Sequence, residues 1–305
     1  MASSAARSPA LHGRVFRGSH AIARGRLTRQ QLRTRHWRPL LRDVYADAQL
    51  PVTHGLYIAA ARLVIPPEAL IAGRSAGWLY GAEGLATDAD PVEVLVAAEH
   101  RFGPVAGVRI RTTSRLPRSD IDDRDGLRST APARTAVDVA RHARDLLDAV
   151  AAVDVLLARG VVTLARLDEA VRALPRVTGS ARARTAVKLA DERSESPQES
   201  RLRVGLVLRG LTCFVPQYVV RRHGRFVARV DLGDPEAKLA VEYDGLWHAE
   251  PGQFGRDRRR LNALAEAGWR VVFATAADLY RIDEFAAGVA AARHDQRGVV
   301  VGRSG

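Results

Sequence analysis

The sequence predicts an α/β protein. An α/β sandwich around a mixed sheet fills the C-terminal third, and a mostly α N-terminal region containing a winged helix-turn-helix precedes it. The first supporting observation is that apolar runs and helical patterns of the last third follow the order αβββαβα. The second is that capped short helices precede a strand pair near the N-terminus. We therefore predict three regions, 1–50, 51–194 and 195–305.

Composition limits the partners, metal sites and cellular location that we expect for this protein. The 305 residues include 47 Lys and Arg against 34 Asp and Glu, for a net charge of +13, so we expect an acidic partner, first of all DNA. A single cysteine, Cys213, excludes an internal disulfide and a Cys-rich zinc site. No apolar run reaches the roughly 18 residues of a membrane span or forms a signal-peptide core, so we expect a cytoplasmic protein without a membrane partner.

The first fifty residues carry ten arginines against Asp43 and Asp47. Thr28 is placed to cap a helix over 29–34, and 37–45 reads as a strand pair or wing. Such a region presents basic side chains to a DNA groove or to phosphates. The arginines predicted to do so are Arg29, Arg33 and Arg35. The alternative is a basic helical hairpin that packs only on its own chain.

The middle region is predicted to be mostly helical, with a helix over 69–79 and strands at 92–97 and 108–112. Ser75 and His54 could suggest a nucleophile and its base. No Gly-x-Ser-x-Gly elbow surrounds Ser75, however, so we interpret it as a capping or packing serine.

The last region is predicted to begin with a helix that has the Ser-x-x-Glu capping signature at Ser196 and Glu199. Strands follow at 215–221, 226–232 and 239–243, the last two joined by a Gly-Asp-Pro turn. A tight hairpin centred on this turn would pair Asp231 with Leu239. Glu242 would then lie about 10 Å further along, unless the strands splay.

Acidic side chains interrupt this hairpin, and an imidazole and a basic helix follow it. Clustered carboxylates repel one another unless a hard cation such as Mg²⁺ (or Mn²⁺) neutralises them. A histidine can accept a proton from an attacking water, and arginines can hold phosphates. This combination favours metal-assisted phosphodiester hydrolysis. The residues are Asp231, Glu242, Asp244, His248, Arg256 and Arg260. The arginines could equally form a solvated helix face.

Asp231 followed by Glu242-Tyr243-Asp244 resembles the PD-(D/E)xK nuclease core. The segments 244–248, 257–261 and 266–271 resemble the very-short-patch-repair endonucleases and the related DUF559 proteins. The resemblance covers the last third and implies a restriction-endonuclease-like fold.

The resemblance also implies roles for individual residues. Asp231 and Glu242 would be metal ligands and His248 would activate water. Glu199 would be an upstream acid, and Gln217 would lie near the site. The capping role of Glu199 remains an equal alternative. Asp244 stands where the general motif has lysine, so either His248 takes that role or activity is lost.

The first fifty residues, and the segment 74–78 (Arg-Ser-Ala-Gly-Trp), resemble AbiEi-type antitoxins. Two functions therefore remain open. The sequence favours the first, a metal-dependent DNA endonuclease that hydrolyses phosphodiester bonds. The other is a non-catalytic DNA-binding regulator of the antitoxin type, with a degenerate nuclease fold and a cognate toxin as partner.

Overall fold

The structure is a computed structural model that describes residues 9–124, 126–245 and 253–302. The chain divides into two compact units, 1–139 and 140–305. Each unit combines helices with strands, and mixed sheets occur in both. The predicted α/β class is confirmed.

The first fifty residues form a three-stranded antiparallel sheet in the order β1-β3-β2, with two short helices between β1 and β2 in the chain. The elements are β1 (Val15–Arg17), α1 (Gly18–Ala23), α2 (Arg29–Leu32), β2 (Trp37–Leu41) and β3 (Val44–Asp47). Thr28 caps α2 in a complete capping box with Gln31. Phe16 and Trp37 meet edge to face at 5.2 Å in a small core. The predicted helices and strand pair are confirmed.

A five-stranded mixed sheet forms the rest of the first unit, in the order β6-β5-β4-β8-β7. Its elements are α3 (His54–Ala61), β4 (Leu70–Ile71), α4 (Gly73–Leu79), β5 (Val92–Ala97), β6 (Val108–Thr113), β7 (Ile121–Arg124), β8 (Leu127–Thr130) and α5 (Pro132–His142). The helix predicted over 69–79 is wrong at its start, because β4 is a buried central strand paired with β5 and β8. A short apolar run does not distinguish such a strand from a helix.

Four helices open the second unit. They are α6 (Leu146–Ala158), α7 (Leu164–Ala173), α8 (Ser180–Leu189) and α9 (Pro197–Val207). α6 packs on α9, and the fully buried Asp154 accepts a 2.8 Å hydrogen bond from Arg203 of α9. The second unit therefore contains residues on both sides of the predicted 194/195 boundary, and the two compact units divide at 139/140, within α5.

A four-stranded sheet in the order β12-β11-β10-β9 completes the second unit. The elements are β9 (Val215–Arg222), β10 (Arg225–Asp234), β11 (Leu239–Tyr243), α10 (Gln253–Glu266), β12 (Arg270–Ala274), α11 (Ala276–Tyr280) and α12 (Ile282–Gly302). Three strands are antiparallel and β12 runs parallel to β11. Side chains of α9 and α12 share one core cluster with the sheet, and side chains of α10 share another. The predicted order of helices and strands and the mixed sheet are confirmed.

In the described ranges, no helix combines the length and apolarity that crossing a bilayer requires.

Candidate functional site

Asp231 and Glu242 lie next to each other where the pairing of β10 with β11 ends. The register pairs Asp234 with Leu239 and Leu232 with Val241, so Asp231 and Glu242 are the next residues along the two strands. The predicted pairing of Asp231 with Leu239 is therefore wrong, and the strands need no splaying. The reason is that the turn between the strands takes four residues, 235–238.

Asp234 holds this longer turn. Its Oδ1 accepts hydrogen bonds from the backbone N–H groups of Glu236 at 3.0 Å and Ala237 at 3.3 Å. Its Oδ2 accepts Nε of Arg293 from α12 at 2.6 Å. Lys238 closes the turn with a φ of 50°. The Gly-Asp-Pro signal thus located the turn. It did not show that the turn residue Asp234 also bonds Arg293, which is far along the chain.

Asp231 is a partly buried carboxylate beside β11. Its Oδ2 accepts the backbone N–H of Tyr243 at 2.9 Å. Burial raises the pKa of Asp231 to about 6, and the negative charges of Glu199 and Glu242 add to the rise, while the Tyr243 N–H and Arg260 oppose it. Asp231 therefore changes charge close to neutral pH.

Glu242 is neutralised by an arginine of α10. The side chain is almost fully buried, and a buried carboxylate needs a charged or hydrogen-bonding partner. Arg260 donates to both of its oxygens, at 2.5 Å to Oε1 and 2.7 Å to Oε2. This is the bidentate geometry that guanidinium groups form with carboxylates. The guanidinium predicted to bind phosphate is thus engaged by Glu242.

Glu199 reaches the same neighbourhood from the start of α9. Ser196 accepts the Glu199 N–H at 3.2 Å, as the capping signature predicts. The Glu199 carboxylate accepts the backbone N–H of Glu195 at 3.0 Å and Nε2 of Gln217 at 2.9 Å. Gln217 has a φ of 51°, an uncommon conformation for a residue with a side chain. Ser196 therefore caps α9 as predicted, but the Glu199 carboxylate bonds the N–H of Glu195 rather than that of Ser196, and its charge acts on Asp231.

These carboxylates do not fit a divalent cation as they are arranged. Both oxygens of Glu242 are bound by Arg260, and one oxygen of Asp231 is bound by the chain. Across residues 9–124, 126–245 and 253–302, no group of three or more His, Cys, Asp or Glu side chains is placed to hold a metal ion. The positive charge beside Glu242 comes from the guanidinium group of Arg260.

The remaining predicted residues near the hairpin lie apart from this pair. Asp244 follows β11 with an exposed side chain, and its N–H donates to the Ala274 carbonyl at 2.7 Å. Arg256 is exposed on α10 and makes no hydrogen bond or ion pair within the part of the chain that the structure describes. His248 lies outside the described residues.

The predicted DNA-facing arginines of the first unit are exposed. The side chains of Arg29, Arg33 and Arg35 form no hydrogen bond or ion pair with any described residue. Arg17 and Arg38 differ, since Arg17 pairs with Asp43 at 3.2 Å and Arg38 donates to backbone carbonyls. The three exposed guanidinium groups are therefore available to an external anion.

Ser75 and His54 form a buried pair, with Ser75 Oγ 2.8 Å from His54 Nε2. His54 Nδ1 lies 2.9 Å from the Thr87 carbonyl, so Nδ1 carries the proton and Ser75 donates to Nε2. Ser75 Oγ also accepts the Glu93 N–H at 2.8 Å. Burial lowers the pKa of His54. The interpretation of Ser75 as a packing residue is confirmed, because neither group reaches the surface.

Comparison with known proteins identifies one segment of the chain. Residues 69–209 match the family model of the AbiEi antitoxin C-terminal domain. The match begins at β4 and ends after α9, and it covers less than half of the chain. The antitoxin resemblance is thereby supported. The matched segment stops before β9, so this comparison gives the nuclease resemblance no support.

The chain is also similar to two proteins of Mycobacterium tuberculosis, from strains CDC 1551 / Oshkosh and ATCC 25618 / H37Rv, both named only as uncharacterized. Each is 35% identical over 175 residues, which is 56% of this chain and 62% of the relative. The match thus spans less than two thirds of these relatives' length. No solved structure matches the chain.

Proposed function

We propose that the chain is a DNA-binding transcriptional regulator of the AbiEi antitoxin type, with a cognate toxin as its protein partner. The observation that carries this proposal is the match of residues 69–209 to the AbiEi antitoxin C-terminal domain. The net charge of +13 supports a polyanionic partner. A DNA partner would place the chain in the cytoplasm.

The first fifty residues supply the proposed DNA contact. Arg29, Arg33 and Arg35 are exposed beside a small sheet that has its own apolar core. Such side chains bind phosphates and set the register of a protein on DNA without reading sequence.

The salt dependence of DNA binding tests this proposal. We expect the triple variant Arg29→Ala, Arg33→Ala, Arg35→Ala to bind duplex DNA from its own upstream region more weakly. The slope of log K against log salt should become shallower by about 0.9 for each phosphate that the variant no longer binds. Fluorescence anisotropy at several salt concentrations measures both quantities.

A matched control replaces three exposed arginines elsewhere. They are Arg118, Arg159 and Arg176, whose side chains make no hydrogen bond or ion pair with described residues. This control should keep most of the parental slope. Equal slopes for the two triple variants would contradict the proposed contact. Deleting residues 1–50 is a poorer test, because it would also remove β1 and β2, on which α3 packs.

A metal-dependent DNA endonuclease is the second candidate. The observation that favours it is the group of three carboxylates, in which the charges of Glu199 and Glu242 raise the pKa of Asp231. The Arg260 contact weighs against it.

Nicking of supercoiled plasmid with Mg²⁺ or Mn²⁺ tests this second candidate. Cleavage by the parent that is abolished in Asp231→Asn would support it. If neither the parent nor Arg260→Ala cleaves with either ion, this candidate is wrong and the regulator proposal stands.

A further inference from the structure

The β9–β10 hairpin extends beyond the four-stranded sheet. β10 pairs with β11 only over 232–234, but it pairs with β9 over 225–233. The inner part of this extension is held against α10, since Val220 and Ala228 share a buried cluster with Leu264. Its outer part, residues 221–226, is exposed at every position. We call these six residues the ribbon tip.

The ribbon tip has a defined backbone. Arg222 pairs with Arg225, which leaves a loop of His223 and Gly224. Their φ values are 50° and 76°, and two successive positive φ angles are the signature of a type I′ turn. This turn matches the twist of the strands it joins, so the tip is a pre-formed two-stranded ribbon.

The ribbon tip carries positive charge that the described acidic residues balance only weakly. Its sequence, Arg-Arg-His-Gly-Arg-Phe, contains no acid. Arg222 reaches Glu266 only at 3.9 Å, and both side chains are exposed, so the pair contributes little. Arg221 donates to the Gly224 carbonyl within the turn. The Arg225 side chain makes no hydrogen bond or ion pair with the described residues.

Phe226 presents an aromatic ring among these charges. It is 63% exposed, although burying a phenylalanine stabilises a fold by about 1.5–3 kcal/mol. An isolated exposed apolar side chain is common, but here it lies opposite Arg221 on one face of the ribbon, while Arg222 and Arg225 lie on the other face. Arginines bind phosphates, and aromatic rings stack on bases or wedge between them.

We propose that the ribbon tip is a nucleic-acid contact surface, with Arg222 and Arg225 on phosphates and the ring of Phe226 against a base. A two-stranded ribbon fits the major groove of duplex DNA. The charge of the tip complements a phosphate backbone. This inference shares with the proposed function only the assumption that DNA is the partner. The ribbon tip lies in the second unit, whereas Arg29, Arg33 and Arg35 lie in the first.

Two variants of the full chain test the proposal. Phe226→Ala should weaken binding to duplex DNA at least about fivefold, the lower end for one base–aromatic contact. It should also abolish any fluorescence change of a 2-aminopurine base in that duplex. The double variant Arg222→Ala, Arg225→Ala should make the salt slope shallower by about 0.9 for each phosphate that it no longer binds.

The chain offers a control for each variant. Phe273→Ala removes another exposed phenylalanine, 42% exposed on β12, and Arg159→Ala with Arg176→Ala removes two exposed arginines. Both controls should bind DNA like the parent. Circular dichroism should show all variants folded, because every changed side chain is exposed.

The proposal is overturned if the tip variants and their controls bind DNA equally well. It is also overturned if Phe226→Ala weakens binding to vesicles containing phosphatidylserine while DNA affinity stays at the parental value. The N-terminal triple variant separates the two proposals. If it alone changes the salt slope, the regulator proposal stands and the ribbon tip is not a DNA contact.

Discussion

At the scale of single residues, the charge of Glu242 is balanced within the chain by Arg260, through hydrogen bonds of 2.5 and 2.7 Å. The carboxylate is 8% exposed and the guanidinium 35% exposed, so solvent screens only one partner appreciably. A fixed guanidinium supplies the positive charge that clustered carboxylates otherwise take from a metal ion. Removing it should therefore affect both stability and the response to cations.

We expect Arg260→Ala to lower the free energy of unfolding by about 1–3 kcal/mol, less than for a fully buried pair because Arg260 is partly exposed. Mn²⁺ should raise the melting temperature of this variant and leave the parent unchanged, because Glu242 becomes free only in the variant. Differential scanning fluorimetry with and without Mn²⁺ measures both effects. Arg256→Ala is the control and should change stability by less than about 0.5 kcal/mol. If Mn²⁺ raised the melting temperature of the parent by the same amount, Arg260 would not be what prevents Mn²⁺ from binding Glu242.

Asp231 should make stability depend on pH. Its pKa is about 6 in the folded chain against an ordinary value of 3.8, so the folded state holds the proton more tightly than the unfolded state. Stability from this group is therefore greatest below about pH 4 and is lost as pH rises through about 6. After allowance for solvent screening, the loss should reach about 2 kcal/mol. Asp231→Asn keeps the acceptor for Tyr243 N–H and should lack this loss. Parallel pH profiles from urea unfolding of the parent and this variant would contradict the prediction.

At the scale of elements, the start of α4 depends on one backbone conformation. Gly73 has a φ of 54°, and a Cβ there would lie 1.9 Å from Oε2 of Glu93. That carboxylate is held by the Arg74 N–H at 3.0 Å and by Arg109 at 3.0 Å. The turn from β4 into α4 therefore requires glycine.

Gly73→Ala should lower the free energy of unfolding by about 2–4 kcal/mol, because it combines strain at positive φ with displacement of Glu93. Chemical denaturation monitored by circular dichroism measures the change. Gly84→Ala serves as the control, since its Cβ would have no atom within 4 Å. A similar stability for both variants would mean that Glu93 moves aside at little cost.

At the scale of the whole molecule, the C-terminal part of the antitoxin-like match and the four-stranded sheet belong to one packed unit. Asp154 of α6 bonds Arg203 of α9 at 2.8 Å and the backbone N–H of Asp191 at the same distance. α9 also packs on α12 beside the C-terminal sheet. Burial raises the pKa of Asp154 despite the opposing charge of Arg203, so the pair is costly to separate.

A fragment of residues 195–305 should therefore be less stable than one of residues 132–305, which keeps α5 and α6 whole. The loss of Asp154 alone should cost about 3–5 kcal/mol, because it leaves Arg203 buried without its carboxylate. Thermal melts of the two fragments by circular dichroism measure the difference. Equal melting temperatures would show that the predicted boundary at 194/195 is a true domain limit.

The sequence by itself determined the local elements: the capped helices at Thr28 and Ser196, the strand 239–243, and the order αβββαβα. These follow from hydrogen bonds and apolar periodicity within a few residues, which the sequence displays directly. It also named Asp231 and Glu242 as one group.

Only the tertiary structure decided how these residues meet. Asp231 and Glu242 come together beside a strand register whose turn residue Asp234 bonds Arg293, and the cation facing Glu242 comes from Arg260 on another element. Arg260 and Glu242 are 18 residues apart in the sequence, and Arg293 and Asp234 are 59 apart, so neither pair forms a local pattern. In the sequence alone, each arginine is typical of a solvated helix face. Such contacts are fixed by the packing of α10 and α12 on the sheet rather than by any short segment of sequence.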